Sequence, residues 1–228
     1  MTKLDVNAVI STLQDYQDPI NQRGMEAYLR DQFSFLGIKT PLRRNLTKPY
    51  INQAKAQAKT PPPEQAIDWD AVDKLWQQLY REYQYVATDY LHAMSKYLQA
   101  EDLSKLKDLI QRKSWWDTVD ALVKRVGDIT LTYPHTIVHI RQWAQDDNMW
   151  VRRAAILHQL GHKDRTDVAL LSEVISMNFG ESEFFINKAI GWALREYAKT
   201  DAIWVKDYVH SHQNELHPLS IREALKNV

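Results

Sequence analysis

Apolar residues recur three and four positions apart along most of this chain, in segments of roughly 10 to 18 residues. No stretch alternates convincingly as a strand would. The spacing puts one apolar stripe on each segment's helical face, and it predicts an all-α protein of about twelve helices. Gly37, Gly127, Gly161 and Gly180 each follow an apolar-periodic stretch, where a helix is expected to end. Most prolines lie between Pro19 and Pro63, and the run Pro61 to Pro63 after the polar INQAKAQAKT reads as an exposed loop. Thr40-Pro41, Pro134 and Pro218 mark helix starts, and Ser114 with Asp117 forms a capping-box pattern before another helix.

The segments repeat. Aligning REYQYVATDYL, SWWDTVDALV, NMWVRRAAIL, EFFINKAIGW and PLSIREALKN gives a column of Ala87, Asp120, Ala154, Ala189 and Ala224, spaced 33, 34, 35 and 35 residues apart. Four positions upstream stand Tyr83, Trp116, Trp150, Phe185 and Ser220. Between these segments lie others such as PHTIVHIRQWAQ and DVALLSEVISMNF. A helix pair recurring every ~35 residues predicts an α-solenoid of HEAT-like repeats, whose equivalent helices line one concave surface. With 228 residues, the chain is expected to form a single domain spanning 1–228.

Composition narrows the classes. Apolar residues make up 44% and charged residues 25%, as in a globular protein. There is no cysteine, which excludes disulfides and thiol catalysis and fits a reducing cytoplasm. The sequence shows no apolar block of signal-peptide length and no run that could span a bilayer, so no membrane association is expected. Twenty-nine basic residues balance 29 acidic ones. Bulk charge therefore gives no support to nucleic-acid binding, and any such role requires the positive charges to gather on one face.

The repeat register isolates the candidate chemistry. Alanine in four copies implies close packing at that column, so a carboxylate there calls for a use. Asp120 is that carboxylate; the alternative is a cap or a pairing with a neighbouring helix. Trp116 lies one turn before Asp120 on the same face, whereas Trp115 lies off it and reads as core. One position before the alanine column stand Val86, Val119, Arg153, Lys188 and Glu223, and Trp192 follows Ala189 by three. A lone tryptophan is ordinarily core packing; here two tryptophans, one acid and one arginine converge across three successive repeats. Arg43-Arg44, Arg112-Lys113, Arg152-Arg153 and Lys188 recur near the starts of the surface-lining helices, where they suit phosphate contacts or form a solvated rim.

These segments resemble the AlkD-type DNA alkylation repair glycosylases, which are built of HEAT-like repeats. The resemblance is carried by FSFLGIKTP with the following LRR, SWWDTVD, DNMWVRRAAIL and FFINKAIGWALREYAKT, spread from Phe33 to Thr200. It implies that Asp120, the second acid of WWDTVD, is the catalytic aspartate. It implies that Trp116 and Trp192 contact the sugar, that Arg153 contacts the DNA backbone, and that Tyr28 and Lys39 lie near the DNA. It further implies recognition from the backbone side, with the lesion left largely stacked rather than flipped.

The expected activity is hydrolysis of the N-glycosidic bond of cationic alkylated purines, of the 3-methyladenine and 7-methylguanine type. Such a base leaves without being protonated, so one carboxylate suffices where glycoside hydrolases need two. Double-stranded DNA is the expected partner. No cofactor or metal is expected, the chain should act as a monomer, and the expected location is cytoplasmic, with the nucleoid. The strongest alternative is a non-catalytic HEAT-like scaffold binding DNA or protein. His135 with His139, and His158 with His162, have i, i+4 spacing, but without an HExxH motif they read as surface histidines.

Overall fold

The computed structural model of the chain describes residues 4–60, 62 and 65–226. Among these residues thirteen α-helices form and no strand. The chain divides into two compact units, Met1–Gln99 and Ala100–Val228.

The first unit holds α1 (Val6–Gln14), α2 (Pro19–Tyr28), α3 (Thr40–Gln57), α4 (Trp69–Gln77) and α5 (Arg81–Ala93). Helix α3 packs against α1 and α5, and α4 packs against α5. Asp5, Asp18 and Asp68 cap α1, α2 and α4, each accepting from a backbone N–H of its own first turn. Thr40 opens α3 as expected, with Pro41 in its first turn. Of the anticipated proline loop, Pro61 and Pro63 lie outside the described residues, and Pro62 is exposed.

The segment between α2 and α3 is held from inside. Glu82, on α5, is fully buried, and its carboxylate accepts from the backbone N–H of Leu36, Gly37 and Ile38 at 2.9, 2.9 and 3.0 Å. Burial pushes this carboxyl above its ordinary value, while the backbone hydrogen bonds pull it down. Gly37 adopts φ +88°, and a Cβ there would lie 2.0 Å from the Asp18 carbonyl oxygen. Only glycine fits, and the turn delivers Lys39 to the N-cap of α3.

The second unit holds α6 (Asp102–Gln111), α7 (Trp116–Thr132), α8 (Ile137–Trp143), α9 (Met149–Leu157), α10 (Val168–Ser176), α11 (Phe184–Ala198), α12 (Ala202–Ser211) and α13 (Pro218–Ala224). Helices α7, α9, α11 and α13 stack one against the next, with α6, α8, α10 and α12 packed against them. The repeat column falls one residue per stacked helix. Ala154, Ala189 and Ala224 have no exposed surface, and Ala87 is equally buried on α5 of the first unit. The second row is tied across repeats as well: Asn178 donates to the Ala144 carbonyl at 3.0 Å, and Arg141 meets Glu173 through two contacts of 2.8 and 2.9 Å.

Three expectations are corrected. Gly127 does not end a helix: it lies within α7, where a Cβ would meet the His158 carbonyl oxygen at 2.2 Å and His162 Nε2 at 2.9 Å. Glycine there serves close helix packing. The Ser114–Asp117 capping box does not form. Trp115 is the N-cap of α7 and makes no side-chain cap, and Ser114 Oγ instead donates to the Ile110 carbonyl in the last turn of α6 at 2.6 Å. Finally, His158 and His162 are not surface residues, at 2% and 8% exposure; His135 and His139 are exposed.

His158 gives a prediction. Its Nδ1 lies 2.6 Å from the Ala155 carbonyl, a contact in which the neutral ring donates. Its pKa is lowered to about 4, chiefly by burial with a smaller push from His162, against the Ala155 hydrogen bond that raises it. The unfolded chain takes up this proton near the ordinary histidine value, whereas the folded chain resists until about pH 4. Stability is therefore lost as pH falls through that window, by up to about 3 kcal/mol. Chemical denaturation across pH 7 to 4 should show wild type losing that much more than His158→Gln. Parallel curves would contradict the assignment.

Candidate functional site

Asp120 sits one turn into α7, on the side facing α9. Its column partners are sealed alanines, but its own side chain keeps 18% exposure, so the carboxylate is at the edge of the packing. Arg153 of α9 grips both oxygens, Nε to Oδ1 at 2.9 Å and Nη2 to Oδ2 at 2.9 Å. The same guanidinium donates Nη1 to the Phe185 carbonyl at the start of α11, at 2.7 Å. One arginine thus staples three successive stacked helices. At 4% exposure it is itself buried. Planar, bidentate pairing fixes the carboxylate plane as well as its position. Burial pushes the Asp120 carboxyl up, the Arg153 hydrogen bonds and charge pull it down, and Asp117 adds a smaller upward push. On balance the carboxyl lies above its ordinary value, with the guanidinium grip on both oxygens favouring the ionised form against burial.

The aromatic residues divide their work. Trp115, one residue before the upstream column of Trp116, Trp150 and Phe185, packs with Trp150 and Phe185 at ring-centroid distances of 5.6 and 5.3 Å, and those two rings lie 4.9 Å apart. That cluster cements the starts of α7, α9 and α11. Trp116, the first residue of α7, is left half-buried one turn from Asp120. Trp192 is likewise half-buried, on α11. An acid with a fixed orientation and two partly open indoles are therefore placed on α7 and α11, joined through Arg153.

The basic residues read from the repeat register are not free charges. In the first unit Asp89 is held by Arg43 at 3.0 Å and by Arg44 at 3.1 Å. Arg43 is buried against Tyr85, and Arg44 is exposed. Lys39 and Tyr28 are both exposed. In the second unit Arg152 donates to the Asp146 and Asp147 carbonyls and reaches Glu181 at 3.3 Å. Lys188 meets Glu223 at 2.8 Å. Sequence reasoning made Arg153 a backbone contact and missed its hold on Asp120. It also passed over Asp89, Arg195 and Glu223. Glu223 had left a signal, as an acid in the column that carries Arg153 and Lys188.

Among the described residues no three potential metal ligands converge, and no helix is long and apolar enough to cross a membrane. No match was found among curated proteins. A predicted DNA alkylation repair enzyme from Enterococcus faecalis is similar in structure, with a TM-score of 0.82 and 33% identity over 93% of this chain and 96% of that one. Residues 9–228 match the family described as DNA alkylation repair enzyme. The match begins within α1 and runs through both units, the oriented carboxylate included, and the chain belongs to the DNA alkylation repair enzyme family.

Proposed function

We propose that this protein is a DNA glycosylase that hydrolyses the N-glycosidic bond of cationic alkylated purines, such as 3-methyladenine and 7-methylguanine, in double-stranded DNA. The observation that carries the proposal is Asp120: a mostly buried carboxylate, gripped bidentately, where equivalent repeats pack alanine. A ring-alkylated purine carries a positive charge. When its bond to the sugar breaks, the electron pair leaves with the base and neutralises it, so no general acid is required. Positive charge develops on the sugar, and Asp120 stabilises it. At ~4 Å and an effective dielectric of 20 that attraction is about 4 kcal/mol, close to a thousandfold in rate if confined to the transition state. The guanidinium charge subtracts from this figure, so the contribution of Arg153 is orientation. Water then adds to the sugar carbon, and its proton passes through the carboxylate to solvent.

Trp116 and Trp192 offer indole faces to the sugar cation, each adding roughly 1–2 kcal/mol when desolvated. In this reading Tyr28, Lys39 and Arg44 of the first unit, and Arg152 and Lys188 of the second, contact the duplex backbone, while the buried Arg43 holds Asp89 beside Arg44. The lesion stays largely stacked, which tolerates bulky adducts. The chemistry needs no metal, and one chain suffices.

The test is direct. Purified protein incubated with N-methylated duplex in chelator should release free 7-methylguanine and 3-methyladenine and leave abasic sites. Duplex binding with no base release would point to a scaffold instead.

A further inference from the structure

Helix α11 carries Lys188, Trp192 and Arg195 at positions i, i+4 and i+7, which share one face. Beneath that face lies the carboxylate of Glu223, from α13. Its Oε1 meets Lys188 at 2.8 Å, and its Oε2 accepts from Arg195 Nη1. The carboxylate is 9% exposed, whereas Lys188 and Arg195 keep 37% and 21%. The two cations therefore show their outer sides to solvent on either side of Trp192, with the anion underneath.

This placement is built, not incidental. Gly191 lets α13 come close: a Cβ there would lie 2.5 Å from Glu223 Cβ and 2.9 Å from the Ser220 carbonyl oxygen. Ser220 Oγ, fully buried, donates to the Asn187 carbonyl of α11 at 2.9 Å. The equivalent position one repeat earlier is Lys188 and two repeats earlier Arg153, both cations. An acid at the last copy reverses the sign of the column.

We propose that Glu223 tunes the non-specific affinity of this face for duplex DNA, weakening the hold of Lys188 and Arg195 on backbone phosphates by cancelling one of their two charges. The inference rests on the reading of the Trp192 face as DNA-facing. With Glu223 the triad presents a net single positive charge; without its charge it presents two. Phosphate binding releases counterions in proportion to the charges neutralised, so the anion lowers both affinity and salt dependence. A repair protein that must leave ordinary DNA to find rare lesions gains from a loosened backbone grip. The same device recurs in the first unit, where Asp89 takes up Arg43 and Arg44.

The experiment is duplex binding by fluorescence anisotropy across a salt series, using an undamaged 25-mer and the variants Glu223→Gln and Lys188→Ala/Arg195→Ala, alone and combined. Glu223→Gln keeps shape and a hydrogen-bonding oxygen, and melting temperatures confirm that each variant is folded. At low salt, Glu223→Gln should bind undamaged duplex roughly three- to tenfold more tightly, with a salt slope steeper by up to about one. In the Lys188→Ala/Arg195→Ala background the same change should do little. An unchanged or weaker affinity for folded Glu223→Gln, or an equal gain without the two cations, overturns the proposal. Failure of wild type to bind any duplex would instead defeat the DNA-facing reading itself.

Discussion

Replacing Asp120 by asparagine should lower single-turnover release of 7-methylguanine by about a hundredfold or more. Asparagine keeps the size and one acceptor but removes the negative charge that faces the developing sugar cation. Affinity for damaged duplex should change little, because the charge matters most in the transition state. The Arg153 pairing adds a second consequence. Breaking a buried ion pair by removing one charge is destabilising by about 3–5 kcal/mol in the extreme, and the retained amide oxygen reduces this. Asp120→Asn should therefore melt lower than wild type, and activity must be normalised to folded protein. Arg153→Ala supplies the comparison. It breaks the same pair and also frees the Phe185 carbonyl, but it leaves the carboxylate in place. Its excision rate should fall roughly tenfold, through lost orientation. Equal rates for the two variants, per folded molecule, would reduce Asp120 to a structural partner of Arg153.

The largest stability effect should come from Glu82→Ala. Three buried backbone N–H groups lose the carboxylate that accepts from them. Hydrogen bonds to a charged partner contribute about 1.5–3 kcal/mol each, and unsatisfied buried donors are penalised further. A loss of at least about 3 kcal/mol in denaturant unfolding is expected. Glu82→Gln should recover only part of it, since the amide turns an N–H toward these donors. Amide exchange locates the effect: protection of Leu36, Gly37 and Ile38 should collapse. The segment leads directly into Lys39 and the start of α3, so duplex binding should weaken too. Retained protection at these three amides would show that the segment is held by other contacts.

The sequence by itself determined the class and the period. Apolar spacing is a local property, and it placed helices wherever a stripe needed burial. Ala154, Ala189 and Ala224 are sealed because alanines 35 residues apart take equivalent places in the stack of α9, α11 and α13, and Ala87 is buried within the first unit. Asp120 stood out for the same reason, as a break in that regularity. Gly161 and Gly180, both with positive φ, sit in turns after α9 and α10 as expected; Gly37 also has positive φ but lies well beyond the end of α2, in the segment that leads into α3.

What only the tertiary structure decided was pairing. A glycine inside a helix and one at its end read alike in one dimension; Gly127 is set apart by the His158 carbonyl pressing on it from α9. Trp115 and Trp116 differ by one residue, and it is the rings of Trp150 and Phe185, from other helices, that draw Trp115 into their cluster. The histidines at 158 and 162 have a surface-like spacing and are buried because α7 closes over them. Above all, charges find partners across the stack rather than along the chain. Arg153 reaches Asp120 33 residues away, and Lys188 reaches Glu223 35 residues away. Coulomb attraction depends on distance in space, and the repeat turns a separation of one period into a contact of about 3 Å.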